Sequence, residues 1–118
     1  PYEPQKGKFM NIIAMTGRLS TEPELRKTSN GTAVCNFSIA VQRDYKNEEG
    51  KYDSDFFNCV AWRGTGELVS KHFKKGQRIN ISGSLETRTY QDKDTGKNRT
   101  AYEIVVDRVE FGGDKKAE

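Results

Sequence analysis

The chain has 118 residues, which fits the prior of roughly 100–200 residues for one domain and leaves no room for two cores. Leu, Ile, Val and Phe together number 23, close to the roughly one-fifth at which disorder becomes a concern, but 20 Lys/Arg against 17 Asp/Glu leave a net charge of only +3, so the other mark of disorder is missing. No apolar run approaches the roughly 18–20 residues of a membrane span and no secretory signal opens the chain; Cys35 and Cys59, without a CxxC and with His72 as the one histidine, exclude a zinc set and read as reduced thiols of a cytoplasmic protein.

Residues 1–9 (PYEPQKGKF) carry two prolines and no periodicity, and read as a flexible extension or cloning remnant before a native start at Met10. Residues 10–111 make the folded domain, and 112–118 (GGDKKAE) a frayed tail. The first strand is predicted over 11–19, followed by a loop punctuated by Pro23, Asn30 and Gly31. Residues 32–43 alternate most clearly, with Ala33, Cys35, Phe37, Ile39 and Val41 on one face and Asn36, Ser38 and Gln42 on the other. Period two means a half-buried strand with its core side at odd positions. A charged loop over 44–55 leads to a third strand, 56–62, whose faces are Phe57, Cys59, Ala61 and Phe56, Asn58, Val60, Trp62. Gly64, Thr65 and Gly66 read as a linker, and 67–75 as a short helix with acid first, Lys74 and Lys75 last and Gly76 as the stop. Strands over 78–90 and 99–111, joined by a turn around 94–97, complete the order strand, strand, strand, helix, strand, strand. That is the connectivity of an OB-fold, a five-stranded Greek-key barrel, all-β with one short helix, that binds oligonucleotides or oligosaccharides.

Twelve of the 39 apolar residues are aromatic, so where the rings point decides what the domain can hold. Phe37, Phe57 and Phe73 suit the core. Phe56 and Trp62 share the other face of the third strand, six residues and roughly 20 Å apart. Tyr90 falls on the side of Arg88 and Asn80, and Tyr45 lies beside Arg43 and Lys46. Rings interleaved with cations are what a single-stranded nucleic acid needs: an unstacked base offers a flat apolar face worth about 1–3 kcal/mol on a ring, and the cations neutralise phosphates. Arg18, Arg43, Lys46, Arg63, Arg88, Lys93, Lys97 and Arg99 are the candidate phosphate contacts.

The same residues resemble the bacterial and phage single-stranded DNA-binding protein family. NIIAMTGRLSTEPELR, NGTAVCNFSIAVQRDY, SDFFNCVAW, HFKKGQRINISGSLETRTY and AYEIVVDRVEF carry the family's elements in order from Met10 to about Phe111. The resemblance implies stacking on Tyr45, Phe56, Trp62 and Tyr90, three of them positions where family members often carry Trp. It also implies a homotetramer, with a dimer as the alternative, that wraps single-stranded DNA in replication, recombination and repair. Family members usually end in a flexible linker and an acidic tip that recruits other proteins; GGDKKAE shows neither, so that partner role is expected to be absent from this chain, whether by truncation or by nature.

Other chemistry is weaker. Asp92, Asp94 and Gly96 fit a hairpin turn better than a calcium loop, which wants an acid or amide where Gly96 stands. Asp53 and Asp55 could serve a metal-dependent nuclease, but a solvated acidic loop explains them. His72 lacks a nucleophile at a useful spacing. The expectation is a non-enzymatic protein with no cofactor, no metal and no membrane association, the alternatives being an OB-fold accessory protein that contacts a helicase or primosome component, or the nuclease.

Overall fold

The structure, a computed structural model, describes residues 9–112, so the expectations for the N-terminal extension and the C-terminal tail fall largely or wholly outside the described residues. Seven elements follow in order: β1 (Ile13–Leu19), β2 (Glu24–Lys27), β3 (Ala33–Lys46), β4 (Tyr52–Trp62), α1 (Arg63–His72), β5 (Arg78–Gln91) and β6 (Asn98–Phe111). The sheet runs β1-β5-β6-β4-β3 and closes where β3 returns to β1 through the pairs Arg18↔Ala40 and Leu19↔Ile39. This is the five-stranded OB-fold barrel. Every pairing is antiparallel except β4 with β6, a short parallel seam from Cys59↔Ile104 to Ala61↔Val106.

The inward side is the one the alternation marks. Cys35, Phe37 and Ile39 of β3, Cys59 and Ala61 of β4, Ile79 and Ile81 of β5 and Ile104 and Val106 of β6 meet Leu19, Val69 and Phe73 in one core. Neither cysteine forms a disulfide. Burial pushes the Cys59 thiol up to about 12 and raises Cys35 as well, so both act as small apolar fillers rather than thiolates.

Four expectations are corrected. The loop after β1 contains a strand, β2, which pairs with β3 from Glu24↔Asn36 to Lys27↔Ala33 although all four of its residues are exposed. The charged loop expected over 44–55 is mostly strand: β3 and β4 run on past the barrel, and only 47–51 turn. The helix begins at Arg63, directly after β4, and ends at His72. Gly64 and Gly66 are poor helix formers, but the first turn lies against β4, where a Cβ on Gly66 would run into the Ala61 carbonyl oxygen. Packing thus overrides propensity; Val69 and Phe73, the residue after the helix, are buried while Leu68 and His72 stay exposed. Finally, Phe57 only packs against the core, half-buried, rather than filling it.

Candidate nucleic-acid interface

Ser54, Phe56, Asn58, Val60 and Trp62 share the outward side of β4, because residues two apart share a side of a strand, and all but the buried Val60 reach solvent. Across β3 their partners are Gln42, Ala40, Ser38, Asn36 and Val34. Ala40 is small, so nothing large stands directly opposite the Phe56 ring. Between the two rings, nearer Phe56, the Ser38 hydroxyl donates to Asn58 Oδ1 at 3.0 Å, a polar step between two flat apolar surfaces. Trp62 ends the strand with extended backbone (φ −101°, ψ 150°) and serves as the N-cap of α1 without a side-chain capping bond. The next residue, Arg63, turns the chain into the helix at φ 55°, a left-handed conformation rare outside glycine, and stands beside the indole in sequence.

All four expected stacking rings reach solvent: Phe56 is 68% exposed, Tyr45 60%, Tyr90 48% and Trp62 42%. They do not form one platform. Arg43 donates to both carboxylate oxygens of Asp55 (2.9 and 2.8 Å) and, through Nη1, to the Tyr45 hydroxyl at 3.1 Å. Tyr45 therefore lies on the Asp55 side of the β3–β4 ribbon, whereas Phe56, the next residue in the chain, points to the other side. On the Phe56 side the ribbon continues with the pair Lys46↔Tyr52, the ammonium 6.0 Å from the ring centroid. Tyr52 is thus a further exposed ring next to a cation.

Tyr90 stands opposite Arg99 on the β5–β6 ribbon, and Arg88 opposite Ala101. A groove of about 340 Å³ joins this ribbon to the β4 face, with Arg88, Ala101 and Glu103 on one wall and Asn36, Ser38 and Asn58 on the other. Glu22 and Glu24 also line it, so its charge is mixed.

The eight candidate cations differ in what they already hold. Arg43 is clamped by Asp55, whose carboxyl that contact holds below its ordinary value of 3.8. Arg99 bonds Asp92 once, at 3.0 Å. Asp92 itself is lowered first by the backbone N–H groups of Asp94 and Thr95, which it accepts in closing the β5–β6 turn, and then by Arg99. Arg18 donates to the Gly76 carbonyl. Lys46, Arg63, Arg88, Lys93 and Lys97 are exposed, Lys93 and Lys97 in the β5–β6 turn. The two carboxylates considered for metal chemistry lie in β4 and are engaged, Asp55 by Arg43 and Asp53 by the Asn47 amide at 3.0 Å. His72 meets the exposed Phe111 ring edge-on at 6.5 Å.

The closed OB barrel thus holds exposed rings, small neighbours and cations on its outer side. The sequence profile of the "Single-strand binding protein family" matches residues 10–112, and the chain belongs to that family. It is 41% identical over 103 residues to a single-stranded DNA-binding protein of Oceanobacillus iheyensis, covering 87% of this chain and 63% of that one. It is 42% identical to single-stranded DNA-binding protein 3 of Listeria innocua (87% and 64% covered). With single-stranded DNA-binding protein A of Bacillus subtilis the identity is 39% (87% and 59% covered). The chain thus spans about three-fifths of the length of these relatives.

Proposed function

We propose that this protein binds single-stranded DNA with little regard to sequence, as a non-enzymatic protector and organiser of single strands in replication, recombination and repair. Bases stack on Phe56 and Trp62 of the β4 face and on Tyr90 and Tyr45 of the two ribbons. Phosphates meet Arg18, Lys46, Arg63, Arg88, Lys93 and Lys97, with Arg43 and Arg99 joining once their carboxylate contacts are exchanged. The observation that carries the reading is the exposed pair Phe56 and Trp62, on one strand face with Ala40 opposite the first ring, in a chain of this family. Bases of any identity have a π-face, so such a surface binds strands without reading them. The protein acts in the bacterial cytoplasm, or in that of a host cell if phage-encoded, as a homotetramer.

Trp62 is the one tryptophan, so titration with oligo-dT reports stacking through its fluorescence. Quenching by single strands with much weaker binding of duplex is expected; unchanged emission with duplex bound as tightly would sink the reading. Sedimentation with and without a dT strand of about 70 nucleotides, enough for four OB domains at up to about 16 nucleotides each, tests the tetramer. A dimer that leaves most of the strand uncovered would overturn it.

A further inference from the structure

The β3–β4 ribbon leaves the barrel with an irregular register. Continued regularly from Gln42↔Ser54, the pairing would set Asp44 opposite Tyr52, but the pair formed is Lys46↔Tyr52. Four steps along β3 therefore match two along β4, and β3 carries two extra residues between these pairs. A β-bulge re-aims side chains. Here it exchanges a carboxylate for an ammonium opposite an exposed ring, and the Lys46 Nζ lies 6.0 Å from the Tyr52 ring centroid.

Tyr52 also continues the outward side of β4. It stands four residues from Phe56, roughly 13 Å along the strand, with the small Ser54 between them on the same side. Its ring is 47% exposed, close to the 42% of Trp62. The two sides of the ribbon differ in charge. Asp53 and Asp55 alternate with Tyr52 and Ser54 and so fall on the other side, where Arg43 joins Asp55 to the Tyr45 hydroxyl. A phosphate chain that followed Tyr45 would run past both carboxylates, whereas one that follows Tyr52 runs past the Lys46 ammonium.

An ammonium holds a ring face weakly at an exposed site, and 6.0 Å is the outer limit of such a contact. A base stacked on the ring is worth more. The flexible four-carbon stem of lysine then lets the ammonium swing from the ring to the phosphate beside that base.

We propose that Tyr52 and Lys46 form a further nucleotide subsite: beyond Phe56 the single strand continues along the Lys46–Tyr52 side of the ribbon, a base stacks on Tyr52, and Lys46 pairs with the adjoining phosphate. The assignment rests on the single-strand reading above and adds to it a ring and a path. Tyr45, on the other side, is left to a different stretch of the strand.

The test compares oligo-dT binding, followed through Trp62, by the unaltered protein, Tyr52→Ala, Tyr52→Phe and Lys46→Gln, with filter retention of a strand of equal length that lacks all bases. Tyr52→Ala should bind oligo-dT about 5- to 150-fold more weakly, the range of one base–ring stack, while Tyr52→Phe keeps the ring and the affinity. On the abasic strand, with nothing to stack, Tyr52→Ala should match the unaltered protein. Lys46→Gln should lower the slope of log K against log salt by about 0.7, one phosphate's worth, and Tyr52→Ala should leave it unchanged. Full oligo-dT affinity in Tyr52→Ala with the Trp62 quench intact overturns the subsite and leaves the single-strand reading standing. So does an equal loss in the Ala and Phe variants, a loss in Tyr52→Ala that persists on the abasic strand, or a full salt slope in Lys46→Gln. If the unaltered protein shows no quench, the single-strand reading itself fails and the subsite falls with it.

Discussion

The two ribbons that run past the barrel are built alike and use their charges differently. Each tip is held by one side chain accepting two backbone N–H groups: Asn47 from Glu49 and Lys51 in the β3–β4 ribbon, Asp92 from Asp94 and Thr95 in the β5–β6 ribbon. Each also sets an arginine against an aspartate. In the first ribbon the tip residue is a neutral amide, so a separate carboxylate, Asp55, gives both oxygens to Arg43. In the second one carboxylate serves the turn and Arg99 together, and Arg99 receives a single bond. A count of basic residues gives Arg43, Lys46 and Lys51 on the first ribbon and Arg88, Lys93, Lys97 and Arg99 on the second, and misses how they are held. The bonding leaves Arg99 the more available to a phosphate and couples Arg43 to the Tyr45 hydroxyl as well.

The largest effects test the rings. Phe56→Ala and Trp62→Ala should each weaken oligo-dT binding by about 1–3 kcal/mol, roughly 5- to 150-fold, and Tyr90→Ala should fall in the same range. Tyr45→Ala should cost less, because its ring lies on the far side of its ribbon from Phe56. Equal losses at Tyr45 and Tyr90, by fluorescence titration or for Trp62→Ala by filter retention, would break the contrast.

Next come the carboxylates. Asp55→Asn frees Arg43 and should steepen the salt slope by up to about 0.7, one phosphate's worth. Asp92→Asn loosens the turn, and its main result should be a lower unfolding midpoint rather than a steeper slope.

Acid titration sharpens the same point. Both carboxyls are held below their ordinary 3.8, so their support for the fold is present above about pH 4 and is lost as pH falls through the lowered values. Because Asp55 depends on an exposed ion pair, salt of about 1 M should raise its titration toward the ordinary value. Asp92, held first by backbone N–H groups, should move less; NMR of the carboxyl carbons reads both.

The smallest effect sits at the junction of β4 and α1, where Arg63 holds φ 55°. Arg63→Gly should stabilise the fold by about 1 kcal/mol, the strain relieved less the greater freedom of glycine in the unfolded chain. It should also weaken DNA binding at low salt. Stability and affinity moving together would mean that the arginine touches no phosphate.

The barrel was legible where one face is buried and the other wet. Cys35, Phe37 and Ile39 mark the inside of β3 by alternation alone, and Phe56 and Trp62 fall outside by the same rule. Legibility ends where that condition ends. Past the barrel both faces of each ribbon are solvated, so nothing in residues 44–46 or 52–55 alternates and they read as loop. β2 is a strand only because its backbone groups pair with β3, which its exposed residues do not reveal.

The parallel seam between β4 and β6 has a consequence for how the molecule folds. Each ribbon is a hairpin of residues close in sequence and can form early, but the three seam pairs join positions 45 apart and come only after the helix and β5 have been placed. The β1–β5 pairs, Ile13↔Gly83 to Arg18↔Arg78, are more distant still, so barrel closure as a whole is the non-local part of folding. A strand of DNA lying on both Asn58 of β4 and Arg88 of β5 would bridge the two halves that the seam unites, acting as an external clasp. The bound protein should then unfold at a higher temperature by the usual linkage, with the gain growing as the logarithm of free DNA concentration above its dissociation constant.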